Sequence, residues 1–183
     1  MACPLTQNLI LDCQDQVGGI ETVYIAERAN RTDTMIYNGS GQITTGILQE
    51  TFFFYRYQFK KASSEYKQTV QRDIVAGTTF WQTELTLQIP KREFAKRNEL
   101  KLLAYNTCMI VIKDRNGKYW LMGENNGAEV VSGGDGSGKA MGDVNGYDLV
   151  FQSEENEPMR ELEPAFVNLA ISGFLAAEVA PIV

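Results

Sequence analysis

With 183 residues, a net charge of −6 and no histidine, the chain has the usual size of one domain and lacks the commonest general base. The missing histidine excludes a Ser-His-Asp or Cys-His mechanism within one chain and removes the usual zinc ligand. Three cysteines without a Cys-x-x-Cys spacing do not predict a disulfide framework. Composition therefore argues against a hydrolase, and we expect neither a metal nor a cofactor.

The charge is unevenly distributed. Residues 1–112 hold 12 basic and 11 acidic side chains, whereas residues 113–183 hold 5 basic and 12 acidic ones. Because nucleic-acid-binding proteins neutralise phosphates with lysine and arginine, the acidic half indicates a solvated face or a surface that avoids DNA. No stretch approaches the roughly 20 apolar residues of a membrane helix, and the first residues do not follow a signal-peptide pattern. We expect a cytoplasmic product without a membrane anchor, or one exported by a route other than the general secretory one.

Strand patterns dominate the first half of the chain. Residues 20–27 alternate with a period of two, and residues 35–37 form a short strand before a glycine-rich turn. Residues 49–59 carry aromatic side chains on both faces, namely Phe53, Tyr55, Tyr57 and Phe59 on one and Phe52 and Phe54 on the other. Core burial explains such a strand, as does burial of one face against a neighbouring subunit. Stacking on a ligand is the third interpretation.

The next two segments predict a long hairpin. Residues 64–72 form a polar strand that we expect to pair back antiparallel with residues 49–59, and residues 79–89 form a third strand. The third strand alternates with a period of two between an apolar and a polar face, with Trp81, Leu85, Leu87 and Ile89 on the first and Gln82, Glu84, Thr86 and Gln88 on the second. Each is about 9–11 residues long, against a usual length of about 5–6. Since the polar arm offers few apolar side chains for burial, we expect the hairpin tip to project from the body.

One helix is predicted, over residues 91–105, because Pro90 precedes a segment rich in lysine, arginine, glutamate, leucine and alanine. Its basic side chains form either an ordinary solvated face or an interaction face for an acidic neighbour. An apolar strand follows at residues 107–114. The dipeptide Asn116-Gly117 then predicts a tight type I′ turn into a strand at residues 118–123.

The remaining segments complete a single mainly β domain over residues 1–183. Residues 129–131 and 146–153 predict two more strands. We expect the N-terminal segment, about residues 1–19, and the C-terminal segment, about residues 165–183, to be extended or bound to a partner.

A glycine-rich stretch at residues 133–139 matches the phosphate-binding pattern G-x-x-x-x-G-K. However, Ala140 occupies the position of the serine or threonine that would bind Mg²⁺, and Gly142 and Gly146 disfavour the helix that such a loop requires. We interpret the stretch as a flexible connection between strands that reaches an adjacent subunit or ring. A nucleotide-binding enzyme remains the alternative, and loss of nucleotide binding in Lys139→Ala would support it.

Two acidic segments and an aromatic one suggest other sites. Residues 143–148 lack the spacing and the terminal glutamate of a calcium loop, so turn chemistry explains them. Residues 154–158 hold three glutamates beside a proline and indicate a solvated turn rather than a glycosidase pair. A sugar-binding β-sandwich that uses residues 52–59 or Trp120 is a further alternative.

The order of these features resembles the tail-tube fold of tailed phages and related injection machines, in which a small β-sandwich carries a long hairpin followed by one helix. Two segments, residues 12–20 and 138–158, are also similar to virion structural proteins of phages of Bacteroidota. The resemblance implies a β-sandwich or barrel with a long protruding hairpin and one α-helix. It implies a virion protein of the tail, made in the host cytoplasm.

The resemblance further implies that subunits form closed rings, hexameric in the family, and that the rings stack into a conduit for DNA ejection without chemistry. Partners would be further copies of the chain, other virion proteins and double-stranded DNA in transit without specific binding. A ring, terminator, stopper or decoration protein elsewhere in the virion is the alternative. The lysines at positions 60, 61 and 67 depart from a simple repulsive channel lining. The interface candidates are Phe52, Phe54, Tyr55, Tyr57, Phe59, Tyr66, Trp81, Gly134, Gly136 and Lys139.

Overall fold

The computed structural model describes residues 16–39, 41–48, 54–59 and 63–163. They form two β-sheets and one α-helix, so the mainly β sandwich class predicted from sequence is confirmed. In chain order the strands are β1 (Ile20–Glu27), β2 (Arg31–Tyr37), β3 (Ile43–Leu48), β4 (Tyr55–Tyr57), β5 (Glu65–Asp73), β6 (Thr78–Pro90), β7 (Cys108–Asp114), β8 (Tyr119–Met122), β9 (Glu129–Gly136), β10 (Gly146–Glu155) and β11 (Arg160–Leu162), with the helix α1 (Phe94–Tyr105) between β6 and β7.

The large sheet has seven strands in the order β2-β3-β11-β8-β7-β1-β4. Its interior strands β1 and β7 pair antiparallel over seven residue pairs. The parallel pairing of β11 with β3 is the exception to an otherwise antiparallel sheet. The strand β11 was not predicted, because three residues are too short for a periodic pattern to be read.

The small sheet has four strands in the order β5-β6-β10-β9. The strands β6 and β10 pair over ten residues, and β5 and β6 form a hairpin over nine. The strand β9 pairs with β10 through a bulge between Val150 and Phe151. Every pairing in this sheet is antiparallel.

Two apolar clusters form the core. The first joins the sheets and contains Ile110, Ile112, Leu85 and Phe151, with two leucines of α1 packed beside them. The second cluster contains Met109 and other residues of the large sheet. Because successive side chains of a strand point to opposite faces, the two clusters lie on opposite sides of the large sheet.

Several predictions of local structure need correction. The helix begins at Phe94 rather than residue 91, since Lys91 has a left-handed backbone (φ 67°) and its N–H donates to the carbonyl of Asn145 at 2.8 Å. The predicted type I′ turn at Asn116-Gly117 is wrong: of the two residues, Gly117 alone has positive φ, at 81°. A type I′ turn requires positive φ at both positions, and a loop ending in one left-handed glycine fits a three-residue hairpin.

Two predicted connections between strands also differ from those in the structure. Within residues 49–59, the described strand β4 pairs with β1 of the large sheet rather than with β5, so the expected pairing of residues 49–59 with 64–72 is wrong for the described part. The glycine stretch was expected to be a flexible connection, yet β9 continues to Gly136 and pairs there with Gly146. Glycine contributes backbone hydrogen bonds like any other residue, so the ladder of the neighbouring strand extended β9 beyond its apolar part.

Candidate assembly surface

The two outer strands of the small sheet each have one unpaired side. In the described parts of the chain, β5 pairs with β6 alone and β9 pairs with β10 alone. The two strands have similar lengths, nine and eight residues. Unpaired N–H and C=O groups along a strand of this length are a template for pairing with another chain.

The directions of these two edges are compatible with each other. Three successive antiparallel pairings connect β5 to β9, so the two edge strands run in opposite directions. When copies stand side by side in one orientation, β5 of one copy and β9 of the next are therefore antiparallel. The small sheet is complementary to itself in this respect.

The outer face of the small sheet, which we define as the face turned away from the large sheet, is polar and acidic. On the inner face lie Leu85 and Phe151, both with no exposure, whereas Glu84 and Asp148 on the outer face are exposed. Alternation along the paired strands assigns the remaining residues to a face. The charged residues of the outer face are Glu65, Lys67, Asp73, Glu84, Glu129, Asp148 and Glu154. Six carboxylates therefore share this face with one lysine.

The hairpin of β5 and β6 extends beyond the small sheet. The pairing of β6 with β10 ends at Trp81, while β5 and β6 remain paired as far as Asp73 and Thr78. The turn at its end exposes Ile74 and Val75, at 82% and 99%. The carboxylate of Asp73 accepts hydrogen bonds from the N–H groups of Val75 and Ala76, and these bonds lower its pKa.

Most of the predicted aromatic interface residues contact this chain's own core. Phe54 packs against the second apolar cluster, and Tyr57, Phe59 and Tyr66 pack against the first. The hydroxyl of Tyr57 donates to the carboxylate of Glu99 at 3.2 Å, and burial raises its pKa well above the ordinary value.

The other interface candidates divide between exposed and half-buried positions. Tyr55 is exposed on the edge strand β4, and Trp81 is half-buried on the inner face of β6. Gly134, Gly136 and Lys139 are exposed along β9 and the loop after it. Phe52 lies outside the described residues. The structure therefore leaves the exposed candidates as the ones available for contact, and the interface role of all ten stays a prediction.

A carboxylate of the chain itself occupies the position where the glycine stretch would hold a phosphate. The N–H groups of Lys139 and Ala140 both donate to one oxygen of Asp143, at 2.7 and 2.8 Å. These two hydrogen bonds lower the pKa of Asp143. Gly138 has a φ of 71°, and a side-chain carbon there would lie 2.3 Å from the Cβ of Asp143. The arrangement is a capped turn, and its donors are already used.

Neither Cys108 nor Trp120 forms an accessible reactive or binding group. Burial raises the pKa of the Cys108 thiol to about 11, so it is protonated and unreactive at neutral pH. Trp120 packs against the first cluster and donates its indole N–H to Asp114 at 3.2 Å. A sugar platform at Trp120 is therefore not supported by its position.

Hydrogen bonds and an ion pair connect the acidic end of β10 and the nearby Glu124 to the rest of the chain. Glu155 accepts hydrogen bonds from the N–H groups of Asn125 and Asn126, both at 2.9 Å. The nearly buried carboxylate of Glu124 lies 3.4 Å from the Nε of Arg160 and accepts a hydrogen bond from Tyr37. Sequence spacing gave no signal for this pair, because 36 positions separate Glu124 from Arg160 and only tertiary folding brings them together.

The described residues contain no group of three or more metal-ligating side chains, and no described helix is long and apolar enough to cross a membrane. The cavity beside Thr83, Ser153 and Glu155 has a volume of about 10 Å³, which is the size of one water molecule rather than of a nucleotide or a sugar.

No protein-family model matches the chain, and no curated protein matches it.

Proposed function

We propose that the chain is a structural subunit that self-assembles into closed rings, and specifically that it is a tail-tube protein of a phage whose stacked rings conduct DNA during ejection. The observation that carries this proposal is the antiparallel pair of outer strands of the small sheet, β5 and β9, each unpaired on one side among the described residues. The resemblance of the feature order to the tail-tube fold supports the specific form of the proposal.

The edge geometry supports ring closure. Pairing β5 of each copy with β9 of the next adds 4 antiparallel strands per subunit to a continuous sheet. Closing that sheet removes both of its open edges, as closure into a barrel does. Barrels with roughly 16–18 strands already enclose an aqueous channel, so a ring of a few subunits suffices and a hexamer exceeds this size.

The acidic outer face fits the wall of such a channel. In the ring the inner face of the small sheet is covered by the large sheet, which leaves the outer face to line the lumen. Its six carboxylates outnumber the single Lys67. A negative wall repels the phosphates of passing DNA and suppresses adhesion, so the genome slides. Lys67 alone does not reverse this sign, while the lysines at 60 and 61 lie outside the described residues.

Electron microscopy of the purified protein tests the proposal. We expect closed rings and, at higher concentration, filaments of stacked rings. Rings that never stack would instead favour a terminator, stopper or other ring protein of the virion. A protein that remains a dispersed monomer at high concentration contradicts ring assembly.

Edge variants test which surfaces close the ring. Val70 on β5 and Val131 on β9 are 53% and 54% exposed, and lysine on an edge strand blocks edge-to-edge pairing. We expect Val70→Lys and Val131→Lys each to abolish rings without changing the circular dichroism spectrum. Val17→Lys is the matched control, since Val17 is 56% exposed and lies against Asn116 in the β7–β8 turn. Rings that persist in both edge variants contradict closure through these strands.

A further inference from the structure

The inner face of the small sheet changes from apolar to polar toward the end at which the β5–β6 hairpin extends beyond the sheet. Leu85 and Phe151 lie opposite each other on this face, and two residues further along the strands Thr83 and Ser153 are again direct partners. Both hydroxyl residues are buried, at 2% and 3% exposure. The interior of the sandwich therefore contains hydroxyl groups at this end, and buried polar groups are normally hydrogen-bonded.

Two side-chain oxygens at this end have no partner among the described residues. They are Ser153 Oγ and Glu155 Oε2, and neither is accessible to bulk solvent. The other carboxylate oxygen, Glu155 Oε1, accepts hydrogen bonds from the N–H groups of Asn125 and Asn126 in the loop after β8. An unmade hydrogen bond at a buried polar atom costs free energy, so each of the two oxygens calls for a partner.

Both oxygens belong to residues that line one small cavity between the sheets. Its volume is about 10 Å³, and Thr83 and Gln68 line it as well. The hydroxyl of Thr83 accepts a hydrogen bond from Gln68 Nε2 at 3.0 Å and donates to no described residue. Although Thr83 lies directly opposite Ser153, the two hydroxyls form no hydrogen bond with each other. A polar cavity of roughly 10–15 Å³ holds one water molecule.

We propose that this cavity binds one structural water molecule, which bridges Ser153, Glu155 and Thr83. The water accepts the hydroxyl proton of Ser153 and donates one of its own protons to Glu155 Oε2. Directly opposite residues of paired strands have Cβ atoms roughly 4.5–5.5 Å apart, and a water bridges oxygens up to about 5.6 Å apart, so Thr83 is within the same range. These three partners match the usual number for a buried water, which is about three.

The lining selects water over a metal ion. Calcium requires roughly six to eight oxygen ligands, and the described residues contain no group of three or more metal-ligating side chains. A water needs fewer partners, and the unpartnered oxygens supply them. Because Glu155 also accepts from the loop after β8, the bound water connects the small sheet to the large one where the apolar core ends. This inference is independent of the proposed function.

A crystal structure of the native protein that resolves ordered waters tests the site. We expect one isolated density peak within about 2.7–3.2 Å of both Ser153 Oγ and Glu155 Oε2. An empty cavity, or a direct hydrogen bond between the two side chains, overturns the inference. A peak surrounded by oxygens at about 2.3–2.6 Å identifies a cation and overturns it as well.

Hydrogen exchange tests the effect of the water in solution. Ser153→Ala removes one partner of the water, so the carboxylate of Glu155 is held less firmly. The N–H groups of Asn125 and Asn126 should then exchange about three- to tenfold faster. Ser132→Ala is the matched control, because it removes an exposed hydroxyl from β9 of the same sheet and should leave these rates unchanged. Equal rates in the two variants contradict the bridge. The crystallographic test uses the native protein and does not depend on the folding of either variant.

Discussion

The two sheets bury their residues in different ways. In the large sheet, Met109 and Ile110 are neighbours on β7 and point to opposite faces, yet their exposures are 1% and 0%. In the small sheet, Phe151 is fully buried, whereas its neighbours Val150 and Gln152 on β10 are partly exposed. The large sheet is thus buried on both faces and the small sheet on one.

This difference indicates which sheet has surface available for contact with other molecules. The interior strands of a sheet buried on both faces stabilise the fold and offer little surface, although Tyr55 on the edge strand β4 stays exposed. Among the described residues, the small sheet keeps one polar face and two edges accessible, and on this basis we propose that it makes the contacts with other copies and with DNA. The following predictions test that division.

The largest effect on stability is expected in the large sheet, where truncation of a buried side chain on either face should destabilise the protein to a similar extent. Met109→Ala and Ile110→Ala should each lower the free energy of unfolding by about 2–5 kcal/mol, since each leaves a cavity in one of the two clusters. Chemical denaturation measures both. If Met109→Ala costs less than about 0.5 kcal/mol, the second face is not buried and the comparison fails.

In the small sheet, by contrast, substitutions on the inner face should destabilise the protein and substitutions on the outer face should not. Phe151→Ala should cost about 3–5 kcal/mol, because it removes a large side chain of the first cluster. Gln152→Ala on the outer face should change stability by no more than about 0.5 kcal/mol. Chemical denaturation measures both variants. An equal loss of unfolding free energy at both positions would show that this sheet too is buried on both faces.

An intermediate effect, on DNA binding, is expected when carboxylates of the outer face are replaced by lysines. The native protein should not retain duplex DNA at low salt, while Glu84→Lys/Asp148→Lys should gain weak binding because cations now face the phosphates. The binding should fall with salt, with a slope of about −0.9 for each phosphate contacted. Fluorescence anisotropy measures it.

A matched pair on the large sheet supplies the control. Glu21→Lys/Glu161→Lys changes the net charge equally but alters carboxylates that pair with Lys113 and Lys118. It should gain less DNA binding at equal salt. Equal binding by both pairs would mean that net charge, rather than the outer face, governs adhesion.

The smallest effect is expected in the turn after β9. Hydrogen bonds from Lys139 and Ala140 lower the pKa of Asp143 below its ordinary value of 3.8. Their stabilisation is therefore present above that pH and is lost as pH falls through the lowered pKa. The amide chemical shifts of the two donors should titrate with a midpoint below 3.8, and Asp143→Asn should abolish the titration. A midpoint at or above 3.8 contradicts the capped turn.

Much of the fold could be predicted from local patterns. Period-two alternation located β1 and β6, strand-like segments located β5 and β10, and Pro90 with a helix-favouring segment located α1 to within three residues. The polar outer face of β6 also followed from its alternation. These features depend on residues close together in sequence, which is why a single sequence was sufficient.

The pairing of strands could not be predicted in the same way. Residues 49–59 carry the period of a strand, but nothing local states that β4 joins β1 rather than β5. The glycines of β9 have no side-chain pattern at all, and the neighbouring β10 alone makes them a strand. The match to a phosphate loop could likewise be judged only from the fold, in which the N–H groups of Lys139 and Ala140 donate to Asp143.

The sequence by itself determined the β class, the one α-helix of the described residues, the absence of histidine chemistry and the excess of acidic residues in the second half. Tertiary structure alone decided which carboxylates share one face, which strands form edges and which buried oxygens lie beside one cavity. The physical reason is range: strand period and helix propensity act over a few residues. Hydrogen-bonded pairing and burial instead join residues distant along the chain, and the proposed surfaces are made from those.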